Sequence, residues 1–438
     1  MNDLYFLLTL LSSHLDRTTA KQLSIIVESM FTMTGRITML GMSRWTEKGG
    51  SYRTIQRFFN KNIAWLSLNW GLIQVALEKD KGVILIAGDA TVVTKSGKAT
   101  YALGKFYSSI YGRSVPSLSF QCLSLTSVNT RKSWPIMMEQ MMPKVKEPNV
   151  TISKTPPKRG KGRPKGSKNK TVADLVLNAE MTQVKSMLKT LIPMVSSTIT
   201  PKYFVYDGAF GNHFAAQMTR DVDLHLISKL RFDSALYMPY KGDYSGRGAP
   251  KKYGNKVDFS AISEKKLCRT FQEGDVETKI YQIELLHKKF NTPLNVVIIF
   301  KENQATGKQS QVLLFSTDLT LECEKIIEYY RLRFQIEFNF RDAKQHWGLE
   351  DFMVTKQNKV NNSAQISMFM VNVSQTLMVE SQEESVIDLK AHFHGLRYVK
   401  EVLKILQKNG TDIKISPLLE EVSHLGRIHQ QKHEPLAA

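Results

Sequence analysis

Two continuous apolar runs constrain the fold of this chain more than any other feature of its sequence. "GVILIAGDAT" covers residues 82–91 and "KYFVYDGAF" covers residues 202–210, and an aspartate follows the apolar part of each run. Runs of this length and composition are typical of strands that are buried on both faces and therefore need helices to cover them. They indicate an α/β fold.

The segments around these runs support the same fold class. "TYALGKFYSSIYG" and "PSLSFQCLSLTSV" have strand-like composition, a helical pattern occupies about residues 172–195, and "NHFAAQMTRD" and "LHLISKL" are typical of a short helix and a strand. Three strands, a helix, a strand, a helix and a strand predict a mixed sheet flanked by helices. Residues 236–318 are rich in turns and strand-like runs, which predicts a β-rich insertion.

Residues 1–80 have the apolar spacing of helices. Ser51 is a predicted N-cap, and the helix after it carries Arg53 and Arg57 one turn apart. A short helix with two arginines after a tight turn could contact DNA as a helix-turn-helix does. The alternative is a surface helix with solvated arginines.

The charge of the chain indicates its partners. The formal net charge is +20 and the pI is near 9.6, which favours a polyanion, with nucleic acid first. An anionic membrane surface or a role in a basic ribonucleoprotein are the alternatives. Three widely spaced cysteines and no apolar run of ~20 residues predict an intracellular protein without disulfides or membrane spans.

A low-complexity basic segment lies at residues 150–172. Its centre, "PPKRGKGRPKGSKNK", holds seven basic residues and no acid, so it cannot form a core of its own. The Gly-Arg-Pro around Arg163, flanked by Lys161 and Lys165, resembles an AT-hook, whose flat backbone fits a narrow minor groove. The alternative is a basic loop that neutralises phosphates without sequence preference.

The two aspartates that follow the apolar runs are Asp89 and Asp207. Each could be an ordinary turn or cap residue. In a ribonuclease-H-like sheet, however, the first and fourth strands are neighbours, so the two carboxylates would meet at one edge. Two close carboxylates repel each other unless a cation lies between them, and oxygen ligands suit Mg²⁺ or Mn²⁺.

A third carboxylate lies in residues 329–352, predicted as one helix. Placed on an ideal helix, Tyr330, Arg333, Glu337 and Lys344 fall within an arc of ~60°. Apolar residues border this arc on both sides, with Phe334 and Phe338 on one flank and Tyr329, Leu332, Ile336, Phe340 and Trp347 on the other. The far, solvated face is predicted to carry Arg331, Gln335, Asn339, Asp342 and His346.

Charges held between apolar flanks either pair with one another or serve a site. Arg333 and Glu337 have the spacing of an ion pair within a helix, whereas Lys344 is about two turns from Glu337. The pattern therefore favours a site, with internal ion pairs as the alternative.

The spacing Tyr330, two residues, Arg333, three residues, Glu337, six residues, Lys344 resembles the Y-R-E-K signature of DDE transposases from bacterial insertion sequences, and most closely the group called insertion sequence family four. Asp89 in "LIAGDAT" and Asp207 in "FVYDGAF" are similar in type, context and order to the two aspartates of that family. The resemblance covers about residues 81–378.

The resemblance implies a ribonuclease-H-like catalytic core in which Asp89, Asp207 and Glu337 bind two divalent ions, Mg²⁺ or Mn²⁺. It further implies that Tyr330, Arg333 and Lys344 contact phosphates at the transposon end. The expected partners are double-stranded DNA, as terminal inverted repeats and as target, and a second copy of the chain in a synaptic complex. The expected location is the bacterial cytoplasm, at the nucleoid when DNA is bound.

The predicted activity is cut-and-paste transposition. The alternative activities are those of a catalytically inactive DNA-binding repressor or architectural protein, and of a ribonuclease-H-like nuclease without joining activity.

The predicted organisation of the chain has five parts. The parts are a helical DNA-binding region at 1–80, the first part of the core at 81–235, the β-rich insertion at 236–318, the second part of the core at 319–378, and a helical C-terminal region at 379–438 that could serve dimerisation.

Overall fold

The computed structural model describes most of the chain between residues 7 and 408. The described residues are 7, 9, 11–46, 49–108, 110–143, 177–244, 246, 248–259, 262–381, 385–408 and 416. The basic segment with Lys161, Arg163 and Lys165 lies outside these ranges.

The N-terminal region is helical, as predicted. A 3-10 turn at Leu11–His14 precedes four helices, and side chains cap three of them: Asp16, Thr38 and Ser51 each accept a hydrogen bond from the backbone N–H three residues later. The Ser51 cap is thereby confirmed. The helices are α1 (Arg17–Thr32), α2 (Met39–Trp45), α3 (Tyr52–Asn60) and α4 (Trp65–Glu78).

Twelve described strands form one mixed sheet, in the order β2-β3-β1-β5-β6-β12-β11-β10-β7-β8, with β4 on β3 and β9 on β10. Neighbours β1, β5 and β6 are parallel, and the other pairs are antiparallel. The strands are β1 (Ile84–Thr94), β2 (Gly104–Ser108), β3 (Arg113–Ser127), β4 (Ser133–Met141), β5 (Tyr203–Val205), β6 (His225–Leu230), β7 (Leu236–Pro239), β8 (Tyr253–Lys256), β9 (Leu267–Glu273), β10 (Val276–His287), β11 (Leu294–Asn303) and β12 (Gln309–Ser316).

The remaining helices cover both faces of this sheet. They are α5 (Ala179–Val195), α6 (His213–Arg220), α7 (Cys323–Leu332), α8 (Gln335–Gln345), α9 (Gln357–Ser381) and α10 (Val386–Lys408). Helices α5 and α6 pack with Ile86 and Phe204, whereas α7 packs with Leu85 and Val205, because side chains alternate between the two faces of a strand. The mixed sheet and its helices are consistent with a ribonuclease-H-like core. None of the described helices is long and apolar enough to span a membrane.

Two details of the predicted strands are wrong. Strand β1 continues past Asp89 to Thr94 because β3 pairs with it along its whole length. Strand β4 was not predicted: its sequence, "SWPIMMEQM", includes Pro135 and pairs with β3 across a register shift, so it lacks a regular alternation. The strand before Asp207 is therefore the fifth in the chain and not the fourth, although it does neighbour β1.

The predicted β-rich region at 236–318 contains strands β7 to β12. Strand β12 pairs with β6 from Leu313↔Leu230 to Ser316↔Ile227, so these strands extend the sheet of the core. The five-part division of the chain stays a prediction.

Helix α10 places a buried cation against the end of α8. The Lys390 ammonium donates to the carbonyl of His346 at 3.2 Å and lies 5.1 Å from the centroid of the Trp347 ring. Burial lowers the pKa of Lys390 to about 8, against the opposing effect of Asp351.

The lowered pKa of Lys390 predicts a stability that rises with pH. Between pH 8 and about 10.5 the unfolded chain keeps this proton and the folded chain releases it, so the free energy of unfolding increases by about 1–3 kcal/mol over that window. Urea unfolding at several pH values should show a larger rise in the wild type than in Lys390→Met, in which the lowered pKa of Lys95 still contributes. The exposed Lys79→Met serves as the control and should keep the rise; an equal rise in Lys390→Met would contradict the prediction.

Candidate active site

Asp89 and Asp207 lie at the same level of two neighbouring parallel strands. The last paired residues of β1 and β5 are Ala87 and Val205, and each aspartate follows two residues later. The charge of Asp207 contributes to raising the pKa of Asp89, which reflects their proximity. The strand register thus places the two aspartates at the same level of the sheet, although Asp89 lies inside its strand.

Backbone N–H groups orient both carboxylates. Asp89 Oδ1 accepts a hydrogen bond from the N–H of Ala90 at 2.8 Å. Asp207 begins a 3-10 turn, Gly208–Phe210, and its Oδ1 accepts from the N–H of Ala209 at 2.9 Å. Each carboxylate therefore has one oxygen held by its own chain and a second oxygen that faces other groups.

The segment 329–352 is not the single helix predicted. Helix α7 ends at Leu332 and α8 begins at Gln335, and hydrogen bonds of the i to i+3 type replace the α-helical ones between them. The N–H of Phe334 bonds to the carbonyl of Arg331 at 3.0 Å, and that of Glu337 to the carbonyl of Phe334, also at 3.0 Å. Tighter turns rotate successive side chains further than an ideal α-helix does, so the predicted angles do not hold across the junction.

The burial of the flanking residues also differs from the prediction. The flank of Tyr329, Leu332, Ile336, Phe340 and Trp347 is buried. The other flank is open: Phe334 is 47% and Phe338 36% exposed, and their rings meet edge to face at 5.4 Å. Asn339, predicted on the solvated face, is buried and donates to Ser133 Oγ at 3.1 Å, because β4 covers that side of α8.

Arg333 bridges two of the predicted site carboxylates. Its Nη1 lies 2.9 Å from Asp89 Oδ2, and its Nη2 lies 3.1 Å from Glu337 Oε1. The arginine side chain is only 12% exposed. The ion pair between Arg333 and Glu337, which the sequence analysis kept as the alternative to a site, is present, and the same guanidinium also joins the α7–α8 junction to β1.

Lys344 takes a different position from the other three signature residues. Its ammonium donates to the carbonyl of Val92 at 2.9 Å and lies 3.2 Å from Glu350 Oε1. Lys344 therefore lies beside β1, three residues beyond Asp89, and its bond to Val92 holds the end of α8 against that strand.

Tyr330 faces an open cleft of about 900 Å³ that Asp207 also lines. Burial raises the pKa of the Tyr330 hydroxyl, and the nearby carboxylates of Asp207, Asp89 and Glu337 raise it further against the effect of Arg333. Tyr330 thus lies among all the predicted carboxylates, and its hydroxyl stays protonated at neutral pH.

The same cleft contains residues that the sequence analysis missed. Lys229, Arg231 and Phe232 line it at the end of β6. Arg231 is exposed and bonds to Asp233 at 3.0 Å. The strand-end argument that selected Asp207 could have selected these residues too, because β6 is parallel to β5 and ends at the same edge.

Carboxylate oxygens are suitable ligands for a divalent cation, but the Arg333 guanidinium lies between two of the three carboxylates. Burial raises the pKa of Asp89 to about 6, against the effects of Arg333 and of the Ala90 N–H, and the charges of Asp207 and Glu337 add to the rise. Three carboxylates in one place need a cation, and oxygen donors suit Mg²⁺. Within the described ranges, no group of three or more His, Cys, Asp or Glu side chains is close enough to hold a metal ion by itself. Asp89, Asp207 and Glu337 are the residues that would hold such an ion, and Arg333 bridges two of them in this structure.

Arg53 and Arg57 lie on the exposed face of α3, while Ile55 and Phe58 on its other face are buried. The structure gives neither arginine a contact with Asp89, Asp207 or Glu337. Their predicted role is therefore separate from this site.

Comparison with known proteins identifies the family. The family described as "DDE superfamily endonuclease" matches residues 10–282, which is well over half of the 438 residues. No curated protein matches the chain. The matched range includes Asp89 and Asp207 and ends before α7, so Glu337 is outside it. Such endonucleases act on DNA and generally use divalent metal ions. The chain belongs to the DDE superfamily endonucleases.

Proposed function

We propose that this endonuclease is a cut-and-paste DNA transposase of the Y-R-E-K type, similar to insertion sequence family four. It would bind the terminal inverted repeats of its element, cleave the ends and join them to target DNA. The observation that supports this most directly is that Asp89 and Asp207 each follow, by two residues, the last pair between parallel strands β1 and β5, and that Arg333 bridges Asp89 and Glu337.

The three carboxylates would hold two Mg²⁺ ions, for which Mn²⁺ could substitute. When bound, such ions supply Lewis-acid stabilisation of the charge that develops on a phosphodiester during its cleavage. Asp89 and Asp207 are pre-oriented for this by the N–H groups of Ala90 and Ala209. Arg333 neutralises Asp89 and Glu337, which keeps the buried site stable.

The DNA strand would lie in the cleft beside Asp207. Lys229 and Arg231 line that cleft and can attract phosphates, and the protonated Tyr330 hydroxyl can donate a hydrogen bond to a phosphate oxygen. Arg333 would serve the same purpose if it left Asp89 and Glu337, and Lys344 would contact DNA only if it left Val92 and Glu350.

The remaining parts of the chain would recognise the element and pair its ends. Arg53 and Arg57 would contact the repeats, the basic segment around Arg163 would bind the minor groove, and two chains would form the synaptic complex in the cytoplasm. A nuclease without joining activity is the second candidate, because the matched family is described as an endonuclease and its match does not reach Glu337.

Glu337→Gln should abolish strand cleavage and keep DNA binding, because the amide removes a negative oxygen ligand without changing the shape of the side chain. We expect the rate of cleavage of a supercoiled plasmid carrying the element ends to fall at least about 100-fold, since even outer-shell partners of a metal cost 10–100-fold. Glu324→Gln, on the exposed side of α7, is the matched control and should cleave normally.

Cleavage by Glu337→Gln at the wild-type rate would show that this carboxylate is not catalytic. Nicked products without strand-transfer products would support the nuclease instead. If the wild type bound the ends but stayed inactive with Mn²⁺, the chain would be a DNA-binding repressor or architectural protein.

Arg53→Ala combined with Arg57→Ala should reduce the ratio of specific to non-specific DNA affinity. Each lost base contact typically costs about 1–3 kcal/mol, so the ratio should fall at least about tenfold, as measured by competition between repeat and random duplexes. The control is Arg17→Ala with Lys21→Ala, an exposed basic pair at the same spacing on α1. An unaltered ratio in the α3 variant would place repeat recognition elsewhere.

Replacing the seven basic residues of 156–170 with serine should weaken DNA binding and reduce its salt dependence. Each phosphate contact contributes about 0.9 to the slope of log affinity against log salt concentration, so the slope should fall by up to ~6. A loss of preference for AT-rich over GC-rich duplexes would further support the minor-groove role. An unchanged slope would remove this segment from the DNA interface.

A further inference from the structure

The hairpin of β2 and β3 extends beyond the rest of the sheet. Strand β1 pairs with β3 only as far as Thr94↔Ser117, and β4 pairs with β3 only as far as Ser119↔Met141. From Val115 to Arg113, β2 is the only described partner of β3. We call this two-stranded ribbon and the described part of its turn, Gly104–Ser108 with 110–117, the β2–β3 arm.

The arm points away from the sheet at the edge that carries the site. Cys122 pairs with Asp89, and Arg113 is nine residues further along β3. At ~3.3 Å per residue, the tip lies roughly 30 Å beyond Asp89 along the strand direction. Since β3 is antiparallel to β1, this is the side toward which β1 and β5 run and where Asp207 lies.

The charged side chains of the β2–β3 arm are all basic. The sequence contains no aspartate or glutamate between Asp89 and Glu139, and Lys105 and Arg113 are both exposed on the arm. The nearby Lys95 does not add to this surface, because its ammonium bonds to the carbonyl of Phe352 at 2.7 Å. The arm itself therefore carries two exposed cations and no carboxylate.

Large apolar side chains are exposed beside these cations. Tyr107 is 65%, Ile110 81% and Tyr111 55% exposed. A two-stranded ribbon is marginally stable alone, and clustered exposed apolar groups mark an interaction site. Aromatic rings beside basic groups suit the sugars and phosphates of nucleic acid.

We propose that the β2–β3 arm is a DNA-binding element that contacts the duplex about nine base pairs from the cleaved phosphodiester, given ~3.4 Å per base pair. Lys105 and Arg113 contact phosphates, and Tyr107, Ile110 and Tyr111 pack against the groove and its sugars. A second copy of the chain is a poorer partner, because a surface with no acid would face a chain of net charge +20. This proposal depends on the proposed function in one respect: it assumes that DNA binds at the edge of the sheet where Asp89 lies.

Lys105→Ala with Arg113→Ala tests the phosphate contacts. The affinity for a 40-base-pair duplex of arbitrary sequence is measured by fluorescence anisotropy at several salt concentrations in EDTA, which prevents cleavage. We expect the slope of log affinity against log salt concentration to fall by ~2. The matched control, Lys132→Ala with Lys202→Ala, removes two exposed lysines at the opposite edge of the sheet and should leave the slope unchanged. Equal slopes in both variants, or no binding by the wild type, overturn the proposal.

Hydrogen exchange of the full chain gives a second readout that is independent of catalysis. On addition of the duplex, amides of the β2–β3 arm should become protected while those of the turn at 128–132 should not. Tyr107→Ser with Tyr111→Ser should weaken binding several-fold without changing the salt slope, since these groups carry no charge. Protection that rises with protein concentration in the absence of DNA would assign the arm to a second copy and overturn the proposal. The cleavage assay of Glu337→Gln tests the proposed function separately, so failure of one does not imply failure of the other.

Discussion

The site depends on the two salt bridges that the guanidinium of Arg333 makes. The guanidinium joins Glu337 on α8 to Asp89 on β1, which lies 244 residues before Arg333 in the sequence. Buried carboxylates beside one another are unfavourable, as the raised pKa of Asp89 reflects, and a cation between them offsets both desolvation and repulsion. The same contact fixes the α7–α8 junction against the edge of the parallel strands. A site proposed to bind metal cations is thus held together by a cationic side chain of the protein.

The junction at Arg333 also explains why the segment is not one helix. Helix α7 packs with Val205 and Ile227 on one face of the sheet, and α8 packs with Val93 and Phe120 in a different cluster, shared with the N-terminal helices. A straight helix cannot follow both surfaces. The two tightened turns redirect the chain between them, and they leave Arg333 at the bend, where its side chain reaches β1.

A similar dependence on distant partners appears in α9. Two of its side-chain amides donate to β4, Gln365 to the carbonyl of Met138 at 2.6 Å and Asn372 to that of Pro135 at 2.7 Å. These bonds satisfy backbone groups of β4 that would otherwise be buried without partners. Because β4 itself was not predicted, the role of these amides could not be.

The sequence by itself determined the buried runs that form β1 and β5 and the matching positions of Asp89 and Asp207 after them, because hydrophobic runs are local properties of the chain. It also determined the spacing that brings Arg333 and Glu337 to one side of a helical segment. Only the tertiary structure decided that Arg333 faces the carboxylates, that Phe334 is exposed and that Asn339 is buried. An angle around a helix specifies which residues share a face, but the layer that covers that face comes from segments hundreds of residues away.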